Sequence, residues 1–143
     1  MLIFRDVFYN KLCASVLVPE KVRYLLYKIG GIQLGKGVRV CPHCFVGNKN
    51  LKIGEKTFVN YNVWFNTAGG ISIGRNCNIA YKVTFVTSGH EIGDAERRAG
   101  MATSEGIEVG DGTWIGANAM IMPGVRIGKG WYYRSWGCGH KRL

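Results

Sequence analysis

Ile107-Glu-Val-Gly-Asp-Gly-Thr-Trp-Ile-Gly-Ala-Asn-Ala-Met-Ile-Met-Pro-Gly-Val125 places aliphatic residues at Val109, Ile115 and Ile121, and Ile127 follows at the same six-residue step. The same rhythm runs backwards through the chain. Leu34-Gly35, Ile53-Gly54, Ile73-Gly74, Val109-Gly110, Ile115-Gly116 and Ile127-Gly128 are aliphatic-Gly pairs, and Val40, Val59, Phe65, Ile79, Phe85 and Ile121 stand between them. A period of six is neither helical nor the simple alternation of a strand. A short strand followed by a tight turn satisfies it, with the aliphatic residue pointing inward and the small residue letting the backbone bend. Three such units make one triangular coil, and stacked coils bury an aliphatic column that no single repeat could bury alone. The spacing predicts a parallel β-helix over residues 31–130.

Two interruptions break the period. Gly69-Gly70 lengthens the step from Ile53 to Ile73 to twenty residues and predicts a small bulge at a corner. The second, Glu91 to Gly106, is charged and lacks the hexad, so it predicts a loop thrown out from a corner. Long loops in compact domains are mostly functional. His90 stands directly before this loop in Thr-Ser-Gly-His, which marks it as the candidate catalytic group.

Ahead of the repeats, residues 1–30 form a helical cap in this reading. Apolar residues recur at helical spacing from Leu2 to Val16 and from Glu20 to Ile29. In the second helix Val22, Leu25, Leu26 and Ile29 define the apolar side, with Lys21, Arg23 and Lys28 elsewhere. Two roles fit: a cover for the first coil, or a basic amphipathic element resting on an anionic membrane.

The chain has 143 residues and a formal charge of +10, which favours anionic partners such as phosphate-bearing cofactors and nucleotide-linked substrates. Nucleic acid is set aside, because no basic stripe with interleaved aromatics occurs in the repeats. Five unevenly spaced cysteines with no secretory signal ahead of them point to a reducing compartment and a cytoplasmic protein. Cys41-Pro-His-Cys44 has the spacing of a redox tetrapeptide but falls inside the hexad run. Redox chemistry would need the first cysteine at a helix N-terminus. A metal is not expected, since neither the cysteines nor His43, His90 and His140 make a ligand set across adjacent coils.

Together, the hexads, the Ser-Gly-His before an extruded loop and the stretch Val109 to Gly128 resemble the left-handed β-helix acyltransferases. The likeness is to the maltose and galactoside O-acetyltransferase group and its relatives that acetylate bacterial surface polysaccharides. It covers residues 31–130. The resemblance implies a homotrimer with active sites between neighbouring prisms, acetyl-CoA lying along the groove, and a sugar hydroxyl as acceptor. It implies that His90 is the general base, that the backbone N–H of Ala117 is an oxyanion donor and that Trp114 walls the cofactor site. Asn60 and Asn62 match the family's Asn-x-Asn stretch near the acceptor, although asparagine also suits tight corners.

Two positions depart from the family pattern. Asn66 stands where an acidic residue is frequent, leaving Glu91 and Asp94 as alternative partners for the histidine. Gly106 replaces a usual proline, which predicts a less rigid return of the loop. After Gly130 the hexads give way to Trp131-Tyr-Tyr-Arg-Ser-Trp-Gly-Cys-Gly-His-Lys-Arg-Leu143. A back-translation of these residues, read one base on, yields Gly-Ile-Ile-Gly-Ala-Gly-Ala-Val-Val-Thr-Lys-Asp, which continues the hexad and supplies the family's Val-Thr-Lys. Residues 131–143 are therefore expected to be a frameshifted tail, and the rival to an active acetyltransferase is a catalytically impaired or non-catalytic β-helix scaffold.

Overall fold

The computed structural model describes residues 2–135. Most of the expected frameshifted tail, residues 136–143, lies outside the described residues. Residues 31–133 wind as a parallel β-helix with three faces. Face A stacks β1 (Gln33–Leu34), β4 (Leu51–Ile53), β7 (Ile71–Ile73), β12 (Ile107–Val109) and β15 (Arg126–Ile127). Face B stacks β2 (Arg39–Val40), β5 (Phe58–Val59), β8 (Asn78–Ile79), β13 (Trp114–Ile115) and β16 (Tyr132–Tyr133). Face C stacks β3 (Phe45–Val46), β6 (Trp64–Phe65), β9 (Thr84–Phe85) and β14 (Met120–Ile121).

Every pairing within these faces is parallel and in register, so the inward residue of each strand sits on the inward residue of the coil below. Ile53, Ile73 and Val109 line face A, Val59, Ile79 and Ile115 line face B, and Phe65, Phe85 and Ile121 line face C, all buried. Phe65 and Phe85 stack at 5.2 Å between centroids. Small residues after the face A strands have a steric cause. A Cβ on Gly54 would lie 2.6 Å from the backbone of Gly74 and Arg75 in the next coil. Buried threonines at other corners tie coil to coil: Thr57 Oγ1 donates to Gly74 O at 2.7 Å, and Thr113 Oγ1 to Gly128 O at 2.8 Å.

The hexad continues further than the sequence suggested. Tyr132 pairs with Trp114 and Tyr133 with Ile115, so residues 131–133 carry face B one strand onward, with the aromatic Tyr133 in an aliphatic position. It packs half-buried against the core.

The N-terminal cap differs from expectation in two respects. Its first helix, Phe4–Cys13, is π-wound, ending in an Ala14 N–H to Tyr9 O bond, and is shorter than the stretch from Leu2 to Val16. The wider turn puts Tyr9, Asn10, Cys13 and Ala14 on the side facing the β-helix. Asn10 uses its amide as a strand partner for β3, accepting from Val46 N–H at 2.9 Å and donating to Val46 O at 3.2 Å.

The second helix, α1 (Glu20–Ile29), has the expected bounds, but of its apolar side only Leu26 packs against the core. Its buried residues are Arg23 and Tyr27, while Val22, Leu25 and Ile29 are exposed. Arg23 turns inward because the end of the cap presents carbonyls that need donors. Its guanidinium donates to Cys13 O at 2.8 Å, Val40 O at 3.1 Å, Ser15 O at 2.8 Å and Val18 O at 2.7 Å. Five donors in a fixed fork suit that cluster better than any apolar residue.

Cys41 and Cys44 sit buried at a corner beneath this cap, with His43 between them at φ 63°. Burial pushes the Cys44 thiol up from 9.0 to about 12 and the Cys13 thiol to about 11, the reverse of what a redox thiol requires.

Three outcomes follow from this packing. Truncating Arg23 to Ala takes the guanidinium donor from the buried Cys13 and Val40 carbonyls and the part-buried Val18 carbonyl, and lowers stability by about 3 kcal/mol in denaturant unfolding. The Tyr27 hydroxyl is buried without a hydrogen-bond partner among the described residues, so Tyr27→Phe should hold or raise stability by about 1 kcal/mol in the same assay. The raised thiols keep their protons in the folded chain while unfolded thiols lose theirs above pH 9, so stability falls between pH 9 and about 12. Cys44→Ala should flatten that alkaline slope in unfolding curves taken at successive pH values.

Candidate active site

The stretch 91–106 leaves the prism at the corner between faces C and A, as the lost hexad predicts, but it is no irregular loop. Its ends pair as an antiparallel hairpin, β10 (Ser88–Ile92) with β11 (Ala99–Ser104). Its tip is closed by Asp94, whose Oδ1 accepts the N–H groups of Glu96 and Arg97, and by Gly93 N–H donating to Arg98 O. Asp94 therefore serves the turn.

His90 stands in β10 opposite Ala102. The next pairing is Ile92 with Ala99, so Gly100 and Met101 together face the single residue Glu91. That bulge frees the Gly100 carbonyl from the ladder, and it lies 2.9 Å from His90 Nδ1. A carbonyl can only accept, so Nδ1 carries the proton, and in the neutral ring Nε2 keeps its lone pair. The orienting partner of His90 is this backbone carbonyl, and neither Glu91 nor Asp94 takes that part.

Asn66 organises the foot of the hairpin. Its Oδ1 accepts from Thr87 N–H at 3.2 Å, and its Nδ2 donates to Ser88 Oγ at 2.9 Å. Thr87 Oγ1 in turn accepts from Gly69 N–H at 2.9 Å. The returning strand passes over the same platform: a Cβ on Gly69 would meet Glu105 backbone at 2.7 Å, and one on Gly106 would stand 3.0 Å from Gly69 O. Close approach explains glycine at 106 and at 69, while Gly70 is set by its φ of 83°.

The other candidate residues lie elsewhere on the prism. Trp114 projects from face B, half exposed, with its ring stacked on Tyr132 at 4.3 Å between centroids. Ala117 is at the corner between faces B and C, where its N–H has no acceptor among the described residues; the same holds for Tyr81 one coil below. Asn60 and Asn62 occupy the equivalent corner two coils below Ala117. Asn62 has φ 58°, so its corner role alone accounts for asparagine there. Asn60 Oδ1 caps the Tyr61 N–H at 2.8 Å.

Within one chain, then, Trp114, Ala117, Asn60 and Asn62 gather around faces B and C, and His90 stands at the corner opposite face B. One six-residue face, roughly 15–20 Å wide, separates the two corners. Gly100 and the Asn66–Ser88 contact are site features that sequence reasoning missed. A backbone carbonyl has no residue type to reveal it, and Asn66 showed only as a departure from pattern.

Among the described residues no cluster of three or more His, Cys, Asp or Glu side chains could hold a metal ion. No helix among them is long and apolar enough to cross a membrane.

Residues 106–130 match the family model described as bacterial transferase hexapeptide (six repeats). Nodulation protein L of Rhizobium leguminosarum bv. viciae is 34% identical over 101 residues, covering 71% of this chain and 53% of that protein. The chain thus spans about half the length of the curated relatives it matches. A hexapeptide-repeat containing acetyltransferase from Vibrio cholerae superposes with a TM-score of 0.75 at 30% identity, covering 86% of this chain and 70% of that one. A galactoside acetyltransferase in complex with coenzyme A gives a TM-score of 0.80 at 28% identity, covering 99% of this chain and 71% of that one. Repeat, hairpin, site motif and these likenesses converge, and the chain belongs to the hexapeptide-repeat, left-handed β-helix acyltransferase family, in the group of the maltose and galactoside O-acetyltransferases.

Proposed function

We propose that the protein is an acetyl-CoA-dependent O-acetyltransferase that acts on a hydroxyl of a sugar or sugar-bearing polysaccharide intermediate, with His90 as general base. The observation that carries this reading is the Nδ1–H of His90 donated to Gly100 O, which leaves Nε2 as the acceptor of a proton. A hydroxyl is a weak nucleophile at neutral pH, and an imidazole in the right tautomer removes its proton as the oxygen attacks the thioester carbonyl. Ala117 N–H, open at its corner, is suited to receive the developing oxyanion. His90 then returns the proton to the departing thiolate, so the ring ends neutral. Acetyl-CoA is the acyl donor, in keeping with the coenzyme A held by the galactoside acetyltransferase likeness.

A cyclic trimer completes the site. Faces B and A meet face C at its two edges, so three C faces set around a threefold axis bring the His90 corner of one chain beside the Ala117 corner and Trp114 of the next. Face C suits that burial, because its outward side carries Phe45, Trp64 and Met120, with Trp64 and Met120 about half exposed in the single chain. Face A instead carries the charged pair Arg126–Glu108 at 3.6 Å, with Arg75–Asp111 at 3.7 Å at its corner with face B, as a solvated surface does. Such an association is heterologous and closes by rotation. Asn60 and Asn62, at the corner that would meet His90, are then candidates for bonding acceptor hydroxyls.

His90→Ala should lower kcat by about 10²–10⁴ with the fold retained, read by acetyl transfer to a panel of sugars; turnover unchanged in the variant would remove His90 as the base, and no transfer by the wild type would return the protein to the scaffold reading. Mixing unfolded His90→Ala chains with unfolded Trp114→Ala chains and refolding them together tests the shared site. Random trimers would rebuild about a quarter of the sites in wild-type form, so activity should rise well above either variant alone. Absence of any gain, with trimers present, would mean that both residues act within one chain.

A further inference from the structure

The outward side of the N-terminal cap is apolar. On α1, Val22, Leu25 and Ile29 recur at helical spacing along the exposed face, and Ile29 is 77% exposed. The turn before the helix adds Val16 and Leu17, the latter 88% exposed, and the first helix adds Val7. This reverses the usual arrangement: the helix buries an arginine and a tyrosine and presents its aliphatic stripe to solvent. Packing against the β-helix is carried by Arg23, Tyr27, Tyr9 and Cys13, with Phe8, Tyr24 and Leu26 partly buried beside them.

Charge identifies the occupant. The two acidic residues of the first thirty are both ion-paired, Asp6 with Arg5 at 2.8 Å and Glu20 with Arg39 at 2.9 Å. Lys11, Lys21 and Lys28 have no carboxylate partner among the described residues. Lys21 and Lys28 lie together along one side of the α1 stripe, next to Leu25, with the Lys28 ammonium reaching back over the Tyr24 ring at 5.5 Å. An aliphatic stripe bordered by unpaired lysines fits an anionic lipid surface, where the stems lie in the interface and the ammonium groups meet headgroups. A second copy fits poorly, because two such faces brought together would oppose like charges in a chain of net charge +10.

We propose that the N-terminal cap docks this protein peripherally on an anionic membrane, with Leu17, Val22, Leu25 and Ile29 in the lipid interface and Lys21 and Lys28 against headgroups. The docking surface is complete in one chain. The trimer of the functional proposal would add avidity, since rotation about a threefold axis leaves all three caps at one end, able to meet one plane.

The test is co-sedimentation of the full chain with vesicles of phosphatidylcholine alone or with about 30% phosphatidylglycerol. The wild type should sediment with the anionic vesicles and release as salt rises, and it should stay in solution with the neutral ones. Leu17→Ser/Leu25→Ser/Ile29→Ser and, separately, Lys21→Glu/Lys28→Glu should each weaken partitioning about tenfold or more. All five positions are exposed, and retained acetyl-CoA binding by calorimetry reports an intact fold independently of vesicles. Leu17→Ser alone, at the most exposed position, gives the same readout should the triple variant fail to fold. Wild-type chain that ignores anionic vesicles, or serine variants that bind as well as wild type, would overturn the proposal. So would a fall in solution mass of the serine variant by sedimentation velocity, which would make the stripe a contact between copies. Lost docking with acetyl transfer intact separates this failure from that of the catalytic reading.

Discussion

Stacking of successive coils, about 4.8 Å apart on three faces at once, is the constraint on which the rest of this structure depends. It demands one inward side chain per face per coil, which is why Ile53, Ile73 and Val109 fall in line, and it demands glycine where the corner backbones come closest. Gly54 shows the limit, with room for no atom beyond Cα between it and Gly74. Buried threonines at the wider corners fill the space with a hydroxyl that also satisfies the next coil's carbonyl. Hydrophobic burial and backbone hydrogen bonding are thus met by the same repeat, and a change to the period would break both.

Such a scaffold tolerates an excursion at a corner because the strands on either side remain paired. β12 still lies on β7, residue for residue, although the chain has travelled through the hairpin between β9 and β12. The excursion costs loop-closure entropy, which grows slowly with length, and leaves the core column unbroken. Its position then dictates the geometry of the chemistry. A group at the C–A corner is held away from face B by the packed core itself, so within one chain His90 and Trp114 stand apart.

The fold was legible in the sequence because inward positions and corner glycines have distinct residue types at a fixed interval. α1 was legible in extent but not in facing. Its apolar side suited either a cover or a membrane-facing element, and the structure turns all of it but Leu26 outward and buries Arg23 and Tyr27, because the cap's carbonyls need a cationic donor. The hairpin was read as an irregular loop, since Ala99-Gly-Met-Ala-Thr-Ser104 has neither β-branched density nor alternation, and its strands are mostly exposed. The position of His90 was visible; its partner was not. A bulge that turns out one carbonyl depends on pairing register, which this stretch of sequence does not encode in side-chain type.

The two departures from the family pattern belong to one local solution. With asparagine at position 66, the side chain accepts from the Thr87 N–H and donates to the Ser88 hydroxyl, a pair of tasks that a carboxylate, lacking a donor, could not perform together. That pins the outgoing strand two residues before His90. The returning strand is pinned by contact instead: Glu105 and Gly106 lie on the Gly69-Gly70 platform, where a proline ring at 106 would have to occupy space that begins 3.0 Å from Gly69 O. The close contact of Gly69 with the Glu105 backbone leaves no room for a side chain at position 69 either. The hairpin that carries the histidine is therefore held at both feet by residues of the preceding coil.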